Sequence, residues 1–431
     1  MLVRRRHFRL FFLGVTASRL GDTFLAVALA WLILKIGTPT DLGLLILIGG
    51  APRAVGAPVA GYVLDRYGPR LALVVDNGLR AVLLLVIPLL SSAGALRVVY
   101  LYPLVFAGAL LSSATEVGQE IVAPTLVADD ELEAANGLLA ATFDLAEWVG
   151  PAAAGLTVAL AGVQPAIVVD ACSFLGMAAA ATALPAAGGR PTERATRSTM
   201  ADLVHGYRTL RACRGVLTLT LTALGVLTID GALQVFWPAY SRTTLGSGPA
   251  TYGLLVSAAG VGSLAGTLLL TPVVGRLRPS RSLPLAVAGS GLCLALLAAI
   301  HTVVIAVGLA VLVGVLAAPF YPIARAVLQR LVPEHERGRV FGARASITAC
   351  GFPTGAALGG LLLTGTSAPV TALIIAAAHA PIALGLLAFP SRPEGDEESA
   401  TESRLAATCG RESEGEELST IGGQQVDHLL A

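Results

Sequence analysis

The sequence is short of charge. Only 13% of its 431 residues are Asp, Glu, Lys or Arg, about half the ~25% of a soluble domain. A chain so poor in charge cannot present a wetted surface on every side. With 55% hydrophobic residues and a mean hydropathy of +0.76, lipid must be the solvent for much of it. Net charge is also small, at +1, so nothing global points to nucleic acid. Enzyme signatures are missing: there is no HExxH, no GxSxG and no GxxxxGK[ST]. These absences argue against a membrane enzyme and against an ATP-driven pump. The five cysteines (Cys172, Cys213, Cys293, Cys350, Cys409) are scattered without CxxC spacing. They read as small apolar residues rather than as metal ligands or a disulfide framework. No metal or other cofactor is expected.

Gly and Pro are plentiful, at 48 and 24. Membrane helices tolerate both, because neighbours satisfy the freed backbone groups. Spanning ~30 Å of hydrocarbon takes about 20 helical residues. Twelve segments fit: 11–35, 41–64, 71–92, 97–122, 134–161, 164–184, 214–237, 249–272, 282–301, 303–328, 339–364 and 368–389. Arg4-Arg5-Arg6-His7-Phe8 before the first run has the look of a signal peptide, with Val15-Thr16-Ala17 as a cleavage site. Eleven further segments make it the anchor of an uncleaved first helix. Arginines concentrate before span 1, in the 2/3 turn (Arg66, Arg70), in the central link (Arg190 to Arg214), in the 8/9 turn (Arg276, Arg278, Arg281) and in the 10/11 turn (Arg330, Arg337, Arg339). The opposite loops hold only Lys35, Arg97 and Arg242. The positive-inside rule then puts both termini in the cytoplasm of a bacterial inner membrane.

The expected organisation is a six-span bundle (1–184), a cytoplasmic linker (185–213), a second six-span bundle (214–389) and an acidic, disordered tail (390–431). In the linker, Leu203, Tyr207 and Leu210 recur at helical spacing, as in an amphipathic helix lying on the inner leaflet. The two bundles echo each other. At a constant offset of 205 residues Leu126 and Val127 match Leu331 and Val332, and Gly137, Gly150 and Gly155 match Gly342, Gly355 and Gly360. A repeat of six spans means parallel halves about an axis along the membrane normal, an architecture of transporters that rock one half against the other.

The 2/3 turn reads Gly61-Tyr62-Val63-Leu64-Asp65-Arg66-Tyr67-Gly68-Pro69-Arg70. It resembles the signature loop of the major facilitator superfamily, with Pro69 where a basic residue is usual. Gly61 would let two helices approach closely, and Gly68 permits a positive-φ turn. Asp65 would sit near a helix N-terminus. Arg66 and Arg70 would bind inner-loop acids or lipid phosphates. Together they would form a conformational latch. Gly150-Pro151-Ala152-Ala153-Ala154-Gly155 resembles the Gly-Pro motif in the fifth helix of the superfamily's exporters, where Pro151 can bend the helix. Arg19-Leu20-Gly21-Asp22, Asp76 with Arg80, and Ala135-Asn136-Gly137-Leu138 are similar to the macrolide-efflux and siderophore-exporter group. The resemblance covers about residues 10–390 and implies the all-α fold of twelve helices in two bundles, a small-molecule substrate and a monomer in the bilayer.

Ionisable residues in hydrocarbon cost about 2.5–3.5 kcal/mol on insertion scales and are functional candidates by default. Arg53, Glu116, Asp144, Glu147 and Asp230 are placed as a proton-coupling or substrate cavity, since carboxylates held away from water can exchange protons near neutral pH. Structural pairing of Arg53 with one of these acids is the plainer alternative. Asp22, Asp76 and Arg80, read as lying toward the inner helix ends, form a gate or charge network. His379, Trp148 and Trp237 read as packing residues, and Arg325, Arg330 and Arg344 as topology or latch residues. The functional expectation is proton-coupled export of small amphiphilic molecules. Uptake or lysolipid transport on the same fold, or a sensor or assembly role through the acidic tail, are the alternatives.

Overall fold

The computed structural model describes residues 5–184, 200–276, 279–334 and 336–387, and the acidic tail and the start of the linker lie outside them. The described residues contain no strand. The first six spans are unbroken rods: α1 (Arg6–Ile36), α2 (Pro39–Tyr67), α3 (Pro69–Ser92), α4 (Val98–Val122), α5 (Leu132–Ala161) and α6 (Val163–Thr182). A short helix, α7 (Met200–Ala212), precedes α8 (Arg214–Thr243). The next span begins as α9 (Pro249–Ala265), widens into a π-type turn over Gly266–Leu270 and ends as α10 (Thr271–Arg276). It is followed by α11 (Pro279–Leu297). The last three spans are α12 (Val303–Ala317) continued by α13 (Phe320–Leu331), α14 (Arg337–Ala349) continued by α15 (Gly351–Gly365), and α16 (Ala368–Leu387). Nine of these rods are long and apolar enough to cross a membrane, and Pro39–Gly50 and Arg281–Leu297 are shorter apolar stretches. The remaining rod, α5, bears the acids expected of a lined interior.

Local chemistry sets the turns. Between α1 and α2, the Thr38 N–H donates to Asp41 Oδ2 at 2.7 Å and the Asp41 N–H to Thr38 Oγ1 at 3.3 Å, with Pro39 opening the helix. This is a capping box, and Tyr102 of α4 donates to the same carboxylate at 2.9 Å. Gly68, at φ +78°, ends α2 and lets Pro69 start α3 at once. No side-chain-bearing residue takes that backbone cheaply.

The packing obeys the repeat. In the first half α1 lies against α5 and α6, α3 against α4 and α6, and α2 against α4. In the second half α8 lies against α15 and α16, α11 against α12 and α16, and α9 against α12. The halves meet along two equivalent seams, α2 with α15 and α5 with α9. Both seams run toward the arginine-poor end. A Cβ on Gly360 would stand 2.5 Å from the Pro39 carbonyl oxygen, and one on Gly155 2.5 Å from that of Pro249. One on Gly43 would strike the Ala356 carbonyl, and one on Gly253 that of Pro151. Thr40 Oγ1 and Thr364 Oγ1 are 2.8 Å apart, the Ala152 N–H donates to Ser257 Oγ at 2.9 Å, and Arg242 donates to the Leu34 carbonyl. These inter-half hydrogen bonds lie at this end. At the arginine-rich end Tyr62, Asp65, Arg66, Tyr67 and Arg70 are exposed.

The linker helix does not simply lie on lipid. It packs against α14, with Gly206 against the Arg339 backbone. Its buried stripe runs through Gly206, Thr209 and Leu210 to Cys213, while Tyr207 is exposed. Leu203 lies outside the described side chains. Among the described residues Cys172, Cys293 and Cys350 are free thiols, and Cys213 is buried.

Candidate functional site

One charged cluster of the first half centres on Arg80. Asp22 lies at the middle of α1, not toward its end as the sequence spacing indicated, because α1 extends from Arg6 to Ile36. Arg80 of α3 donates from Nη2 to Asp22 Oδ1 at 3.0 Å. The same guanidinium lies over the Phe174 ring of α6, 3.8 Å from its centroid, within reach of a cation–π attraction. Asp170, one helical turn before Phe174, is 0% exposed. Its Oδ1 accepts from Ser173 Oγ at 3.1 Å, while its Oδ2 has no partner. Gly21 makes this possible: a Cβ there would overlap both Asp170 Oδ1 and Ser173 Oγ. Asp76 of α3, also buried, accepts from Thr115 of α4, and Asn77 donates to Thr115 Oγ1 at 3.0 Å. Glu116, beside Thr115, is near enough to Asp76 to repel it.

Of the expected charge network of Asp22, Asp76 and Arg80, the structure pairs Arg80 with Asp22, while Asp76 bonds to Thr115. Sequence reasoning missed its most buried member. Asp170 interrupts the apolar span 164–184, so the cost argument that selected Glu116 and Asp144 applies to it equally. Arg19 was passed over for the same reason. It donates to Gln119 of α4 at 3.4 Å and faces the Phe143 ring of α5 at 5.6 Å.

The expected cavity residues divide between several places. Glu116 goes with Asp76. Asp144 and Glu147 act on each other across one turn of α5, and Glu147 stands near Tyr252 of α9. In the second half Asp230 of α8 accepts from Tyr321 of α13 at 2.9 Å. Arg344 lies near Tyr321 and Arg325, placing Arg344 beside the interior rather than at a turn. Tyr321 carries no charge and gave no sequence signal except its position: it matches Glu116 at the repeat offset of 205 residues. Arg53 lies on α2, outside the described side chains.

Asp65, Arg66 and Arg70, expected to form a latch, are exposed. Arg66 donates to its neighbour Tyr62 at 2.8 Å and covers the Tyr67 ring. Gly61, expected to seat a close helix contact, would have nothing within 4 Å of an added Cβ. The Gly-Pro motif is engaged. Gly150 packs on Thr23 of α1, and Pro151 and Gly155 form the α9 seam. Because Pro151 interrupts the helical hydrogen-bond ladder, the cross-seam bond from Ala152 to Ser257 restores a partner locally. His379 is buried, with Nδ1 2.9 Å from the Ile375 carbonyl oxygen. Trp237 meets the Phe236 ring edge-on, and Phe236 stacks on Tyr240. Both are packing residues. Among the described residues no group of His, Cys, Asp and Glu could hold a metal ion.

A family model described as the Major Facilitator Superfamily matches residues 11–229 and 219–413. The chain is 28% identical over 361 residues to the multidrug efflux pump Tap of Mycolicibacterium fortuitum, covering 81% of this chain and 87% of that protein. It is 27% identical over 369 residues to Tap of Mycobacterium tuberculosis (strain ATCC 25618 / H37Rv), covering 83% and 87%. Among solved structures it is similar to a bacterial homologue of the iron transporter ferroportin in an inward-facing state, with a TM-score of 0.67 and 20% identity over 89% of this chain and 99% of that one. The nucleoside transporter NupG gives a TM-score of 0.68 at 12% identity over the same shares, 89% and 99%. At such identities the structures speak for the fold, and the family model speaks for descent. With two like six-helix halves matched along most of the chain, this multi-pass membrane protein is a transporter rather than an enzyme and belongs to the Major Facilitator Superfamily.

Proposed function

We propose that the protein is a proton-driven exporter of small amphiphilic molecules, working as a monomer in a bacterial inner membrane with both termini in the cytoplasm. One observation supports this best. The halves are sealed by glycine backbones at the arginine-poor end, while the latch residues at the arginine-rich end stand apart with carboxylates in the span between. If the arginine-rich end is cytoplasmic, this is the conformation that loads from inside. Rocking the halves about the two seams would open the arginine-poor end. It would also bring Asp65, Arg66 and Arg70 against the other half, where Gly61 could seat a helix. The similarity to the multidrug pumps Tap supports export, and macrolide-like compounds, lipophilic cations and siderophores are the substrates to try. The six-span units at 1–184 and 214–389, joined by 185–213, are the moving bodies in this reading.

The test is proton flux in everted vesicles with an acid-inside gradient. Ethidium, a macrolide and a ferric siderophore are added in turn. A substrate should evoke proton release that Glu116→Gln and Asp144→Asn abolish. Silence toward every compound, from inserted and folded protein, would sink the export reading.

A further inference from the structure

We infer that Asp170 is the group that takes up and gives back the coupling proton, linked to Asp22 through the shared guanidinium of Arg80. The inference rests on the export reading and adds to it a residue, a linkage and a substrate charge. The geometry is asymmetric. Asp22 has a side chain 40% exposed and holds Arg80 at 3.0 Å. Asp170 is fully buried and has one oxygen without a partner. A buried carboxylate left unpaired costs several kcal/mol, and a proton on Asp170 removes that cost without moving the backbone. The charged groups around it are few. α1 presents Asp22, α3 presents Arg80 and, further along, Asp76, and α5 brings none that acts on it. Glu116 of α4 acts on Asp76. One guanidinium therefore serves two carboxylates, and it can neutralise one at a time.

That arrangement couples the two acids. A cationic group arriving at the water-reachable Asp22 takes over its charge, and Arg80 turns to Asp170. The O–H bond of the Asp170 carboxyl then breaks and its proton leaves to water. One positive charge enters the cluster and one leaves, so its total is unchanged. Reversal on the other side of the membrane releases the cation and reloads the proton. Ser173, the Phe174 ring and Gly21 keep Asp170 against α1 throughout. The repeat supplies a control for a merely structural role: at the offset of 205 residues, Asp22 and Asp170 correspond to Leu227 and Ile375, and Ile375 is as well buried, at 3% exposed.

Infrared spectroscopy of the full-length protein reconstituted in lipid tests this without a substrate. At neutral pH the wild type should show the carbonyl stretch of a protonated buried carboxyl that Asp170→Asn lacks. Asp22→Asn should lose the same band although Asp170 is present, because Arg80 is then free to ionise it. A band that persists in Asp22→Asn overturns the linkage, and superimposable spectra of wild type and Asp170→Asn overturn the proton. Should Asp170→Asn fail to insert, Asp22→Asn against wild type decides the matter alone. In energised cells Asp170→Asn should lower ethidium extrusion by about tenfold or more while ethidium binding survives, and unchanged extrusion overturns the role. If the wild type extrudes no ethidium, the export reading fails while the infrared result still decides the protonation.

Discussion

In the first half, α1, α3 and α6 meet around Asp22, Arg80 and Asp170. In the second, the repeat offset puts Leu227, Leu285 and Ile375 at these positions, and α11 carries no charge from Ser282 to Leu297. The contrast reverses for the backbone. α2, α4 and α5 are unbroken, whereas their repeat partners are interrupted by the π-type turn of Gly266–Leu270, between α12 and α13, and between α14 and α15. Two copies of one packing scheme have thus diverged in complementary ways. Charge has been placed in the half whose rods are stiff, where ion pairs keep their geometry. Irregular backbone has been placed in the half without a buried charge cluster, where helices can adjust around Tyr321 and Arg344. At the repeat positions of Asp22, Arg80 and Asp170 the second half has Leu227, Leu285 and Ile375, so it does without their charge.

The largest effect should come from breaking the charged half. Arg80→Ala leaves Asp22 and Asp170 without their cation and should cost about 3–5 kcal/mol, read as a lowered unfolding temperature in detergent. Exchanging the group for its counterparts (Asp22→Leu with Arg80→Leu and Asp170→Ile) should restore most of that stability and leave extrusion absent. A triple variant less stable than Arg80→Ala would show that the halves are not interchangeable in packing.

Next come the seams. Gly253→Val would press on the Pro151 carbonyl and Gly360→Val on that of Pro39, each costing about 1–3 kcal/mol of overpacking in this conformation. Both should shift spin-label distances across the arginine-poor end toward separation, and by similar amounts. A response from one seam alone would mean that they do not bear on the conformational balance equally. The smallest effect belongs to the second half. Tyr321→Phe deletes one hydrogen bond to Asp230, about 0.5–1.5 kcal/mol, and should slow ethidium extrusion by less than Arg80→Ala does.

Helices and repeat were legible because membrane spans announce themselves by apolar length, and duplicated glycines keep their spacing. Gly150, Pro151 and Gly155 could be read as a motif of close helix packing because small residues let helices approach. Gly61 could not be read from sequence alone, since a glycine does not say which helix approaches it, and here nothing lies within 4 Å of an added Cβ. The linker face was misjudged because Tyr207 is apolar enough to count toward a stripe, while the residue that lets α7 approach α14 is Gly206, which has no side chain to count. Tyr321 and Thr115 escaped because neutral hydroxyls in a hydrocarbon span gain significance only from the acid each one faces.

The glycine seams bear on insulation. A membrane that stores energy as a proton gradient is discharged by any protein offering a continuous file of water. Where Gly155 meets Pro249 and Gly360 meets Pro39, carbonyl oxygens lie too close to the opposing Cα for a water molecule to fit between them. Closure there needs no long side chain to find its rotamer, so the barrier to leakage forms as soon as the backbones touch. A methyl group added at either point would act less by weakening the fold than by holding the wall ajar. Its first symptom in a cell would be a falling membrane potential, before any failure to move substrate.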